Sequence, residues 1–517
     1  MPLSSCAYTT ALLARALRLS DTSAHPAFVV GGFVRDSALG RISPDVDIAV
    51  QGDALRIARE VAATLGGSYV TLKEERQIAR VVMPACDGHE QDGPTASIRT
   101  FDFVGFEGDV RDDLSRRDFT INAMAVPAGR IADALEHPES KAETIRGQLI
   151  DPYDGLPDLE ARLLRVVHQG TFEDDPGRLL RAVRLAAEFG LTLERTTEDL
   201  IRTSVARIGD VSGERSREEL LRLLSLDGAA ESVRQMDRLG LLGALIPELE
   251  ACRDVEQPTS HFWDVLGHSI QTVGAFEFVA ELGDWVYGNE ELHLSLPSRP
   301  GFRSYLDDAV SPEASHATLI KLACLLHDVA KPQTKTLTET GRARFLGHTK
   351  EGGQLSRQIL RRLRFSQHET AYIQALVHDH LRPAQISTEG LPSSRAVYRF
   401  FRDTGEAGFG VLYLALADYL ACRGPLYTMS EWVSVCDLTS FIIEEHVRQE
   451  ETVKPSRLID GNAIMDLLNI QPGPTVGRIL DAVIEGQVAG EITTREEAFH
   501  LAREIYEQER KTVRTAK

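Results

Sequence analysis

The apolar positions of this chain change period once, near residue 156. Before it, strand-like runs at Phe28–Val30, Asp47–Val50, Ile78–Met83 and Ile98–Val104 alternate with helical stretches such as Ala54–Leu65. Short runs bounded by turn residues predict strands, and i, i+3, i+4 repeats predict helices, so residues 1–155 read as a small α/β domain. Beyond it the strand signal fades. Leu179, Leu180, Val183 and Ala187, then Leu220, Leu221, Leu223 and Leu224, recur at helical spacing, which predicts an all-helical remainder. Gly- and Pro-rich interruptions at Leu296–Gly301, Gly390–Pro392 and Gln471–Pro474 mark loops between helical groups, and the polar stretch 86–97 reads as a flexible loop. No internal repeat or long low-complexity tract is present.

A chain of 517 residues is long enough for three or four units, at roughly 150 residues per domain. No apolar run approaches the roughly 18 residues of a membrane span, and the N-terminus lacks the pattern of a secretory signal, so a cytoplasmic protein with no membrane partner is expected. The six cysteines are scattered without a CxxC pair, which excludes a zinc ribbon and a disulfide framework. A net charge of −20 excludes a histone-like nonspecific nucleic-acid binder but leaves room for a local basic groove. Between Ala142 and Ile320 every basic residue other than histidine is arginine. Genome composition explains that bias for most positions; forked guanidinium groups suited to phosphate and base recognition explain it where a motif singles them out.

The densest chemistry lies in Val29–Val50, VVGGFVRDSALGRISPDVDIAV. A short apolar strand runs into Gly31-Gly32, and a helix is predicted from Phe33, so backbone amides at a helix N-terminus offer an anion site. Asp45 and Asp47 flank Val46, and on a strand with a two-residue period both carboxylates point to one face, where they can hold Mg²⁺. Two-metal chemistry needs a further oxygen ligand; Asp102, alternating with Phe101 and Phe103, is the candidate, its other reading being an ordinary strand-end aspartate.

Downstream follow DLSRRDFTINAMAV (113–126), DPYDGLPDLEARLLRVV (151–167), FEDDPGRLLRAVRLAAEFGL (172–191) and GERSREELLRLL (213–224). With the first segment, this ordered set resembles the bacterial class of tRNA nucleotidyltransferases, the CCA-adding enzymes and their poly(A) polymerase relatives, from about residue 25 to 225. The resemblance implies an α+β architecture: a polymerase-beta-like nucleotidyltransferase head (1–155) and all-helical neck (156–250), body (251–450) and tail (451–517). It implies that Gly32 and Arg35 hold the triphosphate, Asp45 and Asp47 the metal, and that Arg116 or Arg117 contacts the nucleotide. Asp175-Pro176-Gly177-Arg178 stands where such enzymes read the incoming base with amino acids. A carboxylate accepts from the exocyclic amino group of C or A while a guanidinium donates to the neighbouring ring acceptor; U and G present a carbonyl there. Asp175 and Pro176 also read as an N-cap and first helical residue, and both readings can hold. Arg181 and Arg184 follow on nearly the same face, at positions the family uses near the triphosphate. Asp174 departs from the family's usual glutamate.

Residues 261–420 contain His268, the pair His327-Asp328, His348, His380 and Asp418, with His378 competing for the place of His380. Together they supply ligands for one or two transition-metal ions. The segment resembles an HD domain, a metal-dependent phosphohydrolase fold found in some members of the same group. The tail from 458 to 498 resembles the family's C-terminal part and carries an amphipathic helix at Ile479, Leu480, Val483 and Ile484. The expected activity is addition of CMP and AMP to tRNA 3′ ends, with tRNA, CTP and ATP as partners and Mg²⁺ as cofactor. Alternatives are A-only or CC-only addition, a poly(A) polymerase, or an HD phosphohydrolase with a regulatory head.

Overall fold

The computed structural model describes residues 5–22, 25–41, 43, 45–84, 100–136, 146–258, 261–387, 390–452 and 458–515. The chain divides into two compact units, Met1–Val211 and Ser212–Lys517, so residues 156–211 belong to the first.

The first unit is built on six strands: β1 (Ala27–Val30), β2 (Asp45–Gln51), β3 (Ser68–Lys73), β4 (Ile78–Val82), β5 (Thr100–Phe106) and β6 (Ala125–Pro127). They form one sheet in the order β3-β4-β5-β2-β1-β6, with β2 and β5 parallel and every other pair antiparallel. Helices Ser5–Ser20, Ala54–Leu65 and Ala128–Glu136 cover one face through Leu13, Leu17, Ile57, Val61 and Ile131. The helix Ala54–Leu65 starts where the Asp53 side chain accepts from the Arg56 N–H, and ends at Gly66 in the left-handed conformation.

Strand alternation then decides where the charges go. Val46, Ile48, Phe101, Phe103, Ala79 and Val81 enter the helix-covered core, so Asp45, Asp47, Asp102 and Arg80 emerge on the opposite face. Burial of each large side chain contributes about 1.5–3 kcal/mol. A one-residue slip would exchange those side chains for the acids, which pins the register.

Two strands went unread in the sequence. β3 is an exposed edge strand and β6 is only three residues long and ends in proline, so neither carries an alternating burial pattern. The stretch read as all-helical also contains three two-stranded ribbons, Leu163–Leu164 with Thr192–Leu193, Ala309–Ser311 with Ala314–Ser315, and Lys335–Leu337 with Ala343–Phe345. Strands of two or three residues are too short to show a period. The 86–97 loop and Ile98 lie outside the described residues.

The second unit is helical at its centre. Val265–Val279 and Gly408–Arg423 pack against each other and are buried nearly all round, as expected for helices apolar on every face. Near the C-terminus Ile459, Ile464, Ile479, Val483 and Ala498 form a separate core around the helix Pro474–Val488. Among the described residues no helix is long and apolar enough to cross a membrane.

Candidate functional site

On the open face of the sheet, Asp47 stands opposite Asp102 across the parallel β2–β5 pair, and Asp45 opposite Thr100, whose hydroxyl donates to Asp45 Oδ1 at 2.6 Å. Asp45 is exposed, while Asp47 and Asp102 are half-buried. Burial, with the charges of Asp102 and Asp45 beside it, pushes the Asp47 carboxyl above its ordinary value against the pull of Arg117 and Arg181. A carboxylate crowded in this way is one that a divalent cation would relieve, so the residues fit Mg²⁺. Asp102 differs from its two neighbours: both of its oxygens sit in the fork of Arg80, at 2.7 Å from Nε and 2.7 Å from Nη2.

Gly31 has φ +70°, and a Cβ there would meet Arg117 Nη1 at 2.6 Å and Asp47 Oδ2 at 3.2 Å. Glycine is therefore required twice, by conformation and by close approach. Its N–H donates to the Met124 carbonyl at 3.2 Å, which takes it out of the expected anion site. Gly32 opens the helix Gly32–Ala38. The sequence left Arg116 and Arg117 as alternatives. Arg117 is the one against Asp47; its guanidinium is also held by Asp113 at 3.2 Å, whereas Arg116 is exposed.

Arg35, expected at the triphosphate, is tied within the protein. It is buried, donates to Asn122 Oδ1 at 2.6 Å and to Asp36 at 2.8 Å, and stacks 3.9 Å over the Phe189 ring. In this structure it positions Asn122, whose amide in turn donates to Asp118 Oδ1 at 3.1 Å.

The stretch 175–178 departs from the expected helix start. The helix begins at Arg178 with Gly177 as its N-cap, and Asp175 instead accepts from the Gly177 N–H at 3.0 Å, an Asx turn. Arg178 donates to the carbonyls of Arg116, at 2.8 Å, and Thr171, at 3.3 Å, which fastens this turn to the RRDFT segment. Arg181 donates to Asp118 Oδ2 at 3.3 Å, and Arg184 pairs with Glu188. Asp118 was missed in the sequence. Burial opposes its charge, but Arg181, the Asn122 amide and the Phe119 N–H outweigh it and hold the carboxyl below its ordinary value. The only sequence signal was its place directly after Arg116-Arg117.

In the second unit the six predicted ligands converge. His268 Nε2 is 3.1 Å from His327 Nε2 and 3.0 Å from Asp418 Oδ1; Asp328 Oδ2 is 3.2 Å from His327 Nε2, and Asp328 Oδ1 is 3.5 Å from His348 Nε2. Three overlapping sets, His268/His327/Asp328, His327/His380/Asp418 and Asp328/His348/His380, each bring their ligand atoms within 4.8 Å of one another. His378 points away, half-exposed beside Asp379.

Local folding presets the imidazoles. His327 and His380 sit at the C-caps of His316–Leu326 and Gln367–Asp379, and their Nδ1–H groups donate to the carbonyls three residues back, Cys324 and Val377, at 2.8 Å each. His348 does the same to Phe345 at 2.7 Å. With Nδ1 engaged by a carbonyl, each ring turns its Nε2 toward the cluster, the atom a metal would take. Burial, with His327 beside it, lowers the His380 pKa to about 4, keeping that ring neutral at physiological pH. His268 Nδ1 and both Asp328 oxygens are buried without a hydrogen bond among the described residues, although Lys331 Nζ lies 2.5 Å from Asp328 Oδ2. Buried oxygens left in that state fit a bound cation. A cleft of about 480 Å³ opens onto the cluster, rimmed by His261, Lys331, Arg342, Arg344 and Phe345.

Known protein families match the chain in three segments, the second of which spans the boundary between the two units. Residues 27–165 match the "Poly A polymerase head domain" family, 190–253 the "Probable RNA and SrmB- binding site of polymerase A", and 305–422 the "HD domain". An A-adding tRNA nucleotidyltransferase from Deinococcus radiodurans is 33% identical over 478 residues, 91% of this chain and 94% of that protein. The chain belongs to the tRNA nucleotidyltransferase family. A CC-adding tRNA nucleotidyltransferase from Thermus thermophilus is likewise 33% identical, over 91% of this chain and 92% of its own. A CCA-adding enzyme from Thermotoga maritima, solved in complex with tRNA, shares the fold at TM-score 0.57 and 20% identity, over 95% of this chain and 94% of that one.

The family resemblance read from the ordered motifs and the α+β architecture both hold. This tRNA nucleotidyltransferase also carries groups the motif reading passed over: Arg80, Asn122, Asp118 and Glu188 in the first unit, Lys331 and the Lys335–Phe345 hairpin in the second. Arg80, Asn122 and Asp118 acquire their places through partners distant in sequence, whereas Glu188 and Lys331 meet partners within one helical turn.

Proposed function

We propose that this tRNA nucleotidyltransferase acts in the cytoplasm, adding CMP and AMP from CTP and ATP to tRNA 3′ ends, with Asp45 and Asp47 as the Mg²⁺ ligands. The observation that carries the reading is the placement of Asp45, Asp47 and Asp102 on one sheet face with Arg117 and Arg181 beside Asp47. In the reaction the terminal 3′-hydroxyl attacks the α-phosphorus, the bond to the β-phosphate oxygen breaks, and pyrophosphate leaves. Held by Asp45 and Asp47, Mg²⁺ would supply two-metal chemistry, lowering the cost of deprotonating the hydroxyl and offsetting the departing charge. Arg117 and Arg181 offset phosphate charge, Gly31 keeps the backbone clear of Arg117, and Arg184 stands on the same helix as Arg181, paired with Glu188. Asp175 accepts from the amino group of C or A and Arg178 donates to the ring acceptor, while the bonds of Arg178 to Thr171 and Arg116 limit its motion.

A narrower reading, A-only or CC-only addition, is favoured by the names of the Deinococcus and Thermus relatives that match nearly the whole chain. One assay separates these readings: tRNAs ending before CCA, after C and after CC, each given CTP or ATP alone and both together. Full CCA addition supports the first reading, extension of only one substrate type assigns the narrower one, and no incorporation overturns both.

The second unit supports an additional activity, metal-dependent phosphohydrolysis at His268, His327, Asp328, His348, His380 and Asp418. The converging ligand sets and the Nε2 atoms turned toward them favour one or two bound transition-metal ions, and Lys331, Arg342 and Arg344 give the cleft the charge a phosphate ester needs. Metal analysis of the purified chain and hydrolysis of phosphomonoester and phosphodiester probes test it; absence of both metal and hydrolysis overturns it.

A further inference from the structure

Arg80 takes no part in the chemistry proposed above, yet it is the cation most firmly attached to the acidic face. Arg80, Asp102 and Asp47 are successive partners across β4, β5 and β2. Neighbouring strands lie about 4.8 Å apart, so the three side chains form one row on one face. The fork of Arg80 engages both oxygens of Asp102 at 2.7 Å, the strongest geometry a carboxylate offers to arginine. The hydrogen bond to Asp102 chiefly raises the Arg80 pKa, and the charges of Asp102, Asp45 and Asp47 add to it.

Asp45 and Asp47 lack such a fork. An ion seated between them meets an exposed Asp45, an Asp47 with Arg117 nearby, and a third carboxylate held in a bidentate pair. We propose that Arg80 is a positioning residue that competes with the divalent cation for Asp102, so that the third carboxylate joins the metal site only when Arg80 releases it. This rests on the assignment of Asp45 and Asp47 as ligands.

Charge and access both support it. The affinity of an oxygen site for a divalent ion follows the number of charged ligands, and Arg80 withholds one of three. The Arg80 side chain is 43% exposed and Asp102 26%; pairs this open contribute only about 0–1 kcal/mol, so an entering ion can displace the guanidinium. Arg117 cannot substitute, because it lies at the other end of the row against Gly31 and Asp47.

Mn²⁺ binding, followed by electron paramagnetic resonance on the full chain, tests this; Asp328→Ala in every arm silences the second unit. Arg80→Gln is expected to tighten binding at the head about two- to fivefold, the most that releasing a pair worth up to about 1 kcal/mol can give. Arg80→Lys, which keeps the charge, stays near the parent, and Asp102→Asn alone changes affinity by less than about twofold, because that carboxylate is already withheld. In the Asp102→Asn background Arg80→Gln loses its effect. If Arg80→Gln leaves binding unchanged or weakens it, or Asp102→Asn alone weakens it tenfold, Asp102 is an ordinary ligand oriented by Arg80 and the proposal falls. A separate arm, Asp45→Asn with Asp47→Asn, abolishes head binding; if it does not, the metal-site assignment itself fails, and the proposal with it.

Discussion

The acidic face of the first unit and the histidine cluster of the second both gather cation ligands, but they balance charge in opposite ways. On the sheet, three carboxylates are half-open and are met by Arg80, Arg117 and Arg181, so much of their charge is already offset by the protein. In the second unit His268, His327, Asp328 and His380 are buried, and Lys331 is the cation beside Asp328. Carbonyl bonds there fix three imidazoles through Nδ1 and turn each Nε2 toward the cluster. The first arrangement suits an ion that arrives with its nucleotide and leaves with pyrophosphate. The second suits a resident ion, because without one its buried oxygens and nitrogens are left short of partners.

The largest effect that can break this contrast comes from the first unit. Asp45→Ala with Asp47→Ala should lower nucleotide addition about a thousandfold or more, since the lost charge stabilisation is worth about 4 kcal/mol at the transition state. Hydrolysis by the second unit should be untouched. Incorporation of labelled nucleotide into tRNA that survived the double substitution would remove the acidic face from the chemistry.

Next is Asp328→Ala. It should strip bound metal and abolish hydrolysis while leaving nucleotide addition within about twofold. Because a ligand at a hundred times its Kd stabilises by about 2.7 kcal/mol, chelator should lower the Tm of the parent by roughly 5–10 °C, and the variant should no longer respond. Equal chelator sensitivity in both proteins would show that the cluster holds no resident ion.

Arg178→Ala sharpens the contrast within the first unit, between residues that hold charge and residues that select. One well-made base contact is worth about 1–3 kcal/mol of discrimination, so misincorporation of UMP and GMP relative to CMP and AMP should rise about 10–100-fold. Total turnover on the correct nucleotide should fall less. A uniform fall for all four nucleotides would make Arg178 a structural tie between Arg116 and Thr171 and nothing more.

How much of this could be read beforehand depends on sequence distance. Asp45 and Asp47 were legible because a two-residue period around Val46 fixes their face, and Asp102 because Phe101 and Phe103 flank it in the same way. The six ligands of the second unit were legible as residue types, and two of them, His327 and His380, stand at helix ends followed by a short helix with proline in its first turn. Arg80 was not, because its partner is decided by the β4–β5 register. Asp118 gave no pattern of its own; its role comes from Arg181, 63 positions away. The helix expected at Asp175 starts at Arg178 because Asp175 turns its oxygen onto the Gly177 N–H instead of capping a longer helix. Strands β3 and β6 failed for the complementary reason, since β3 lies exposed at the edge and β6, though buried at Ala125 and Val126, is too short to show an alternation.

The smallest effect concerns stability and carries a sign that separates the two sites. Burial and two neighbouring acids raise the Asp47 carboxyl above its ordinary value, so the folded chain holds that proton more tightly than the unfolded chain does. The contribution to stability is therefore full below the unfolded value and is lost as pH rises through the folded one. Asp47→Asn removes this loss. In chelator and near neutral pH the variant should melt about 2–4 °C higher for each kcal/mol relieved, and the gap should shrink as pH falls through the carboxylate range. Adding Mg²⁺ should narrow or reverse it, because only the parent gains a ligand for the ion. A variant that melts lower than its parent in chelator at neutral pH would mean that Arg117 and Arg181 already over-compensate the acidic face, leaving no unfavourable charge there for an arriving ion to relieve.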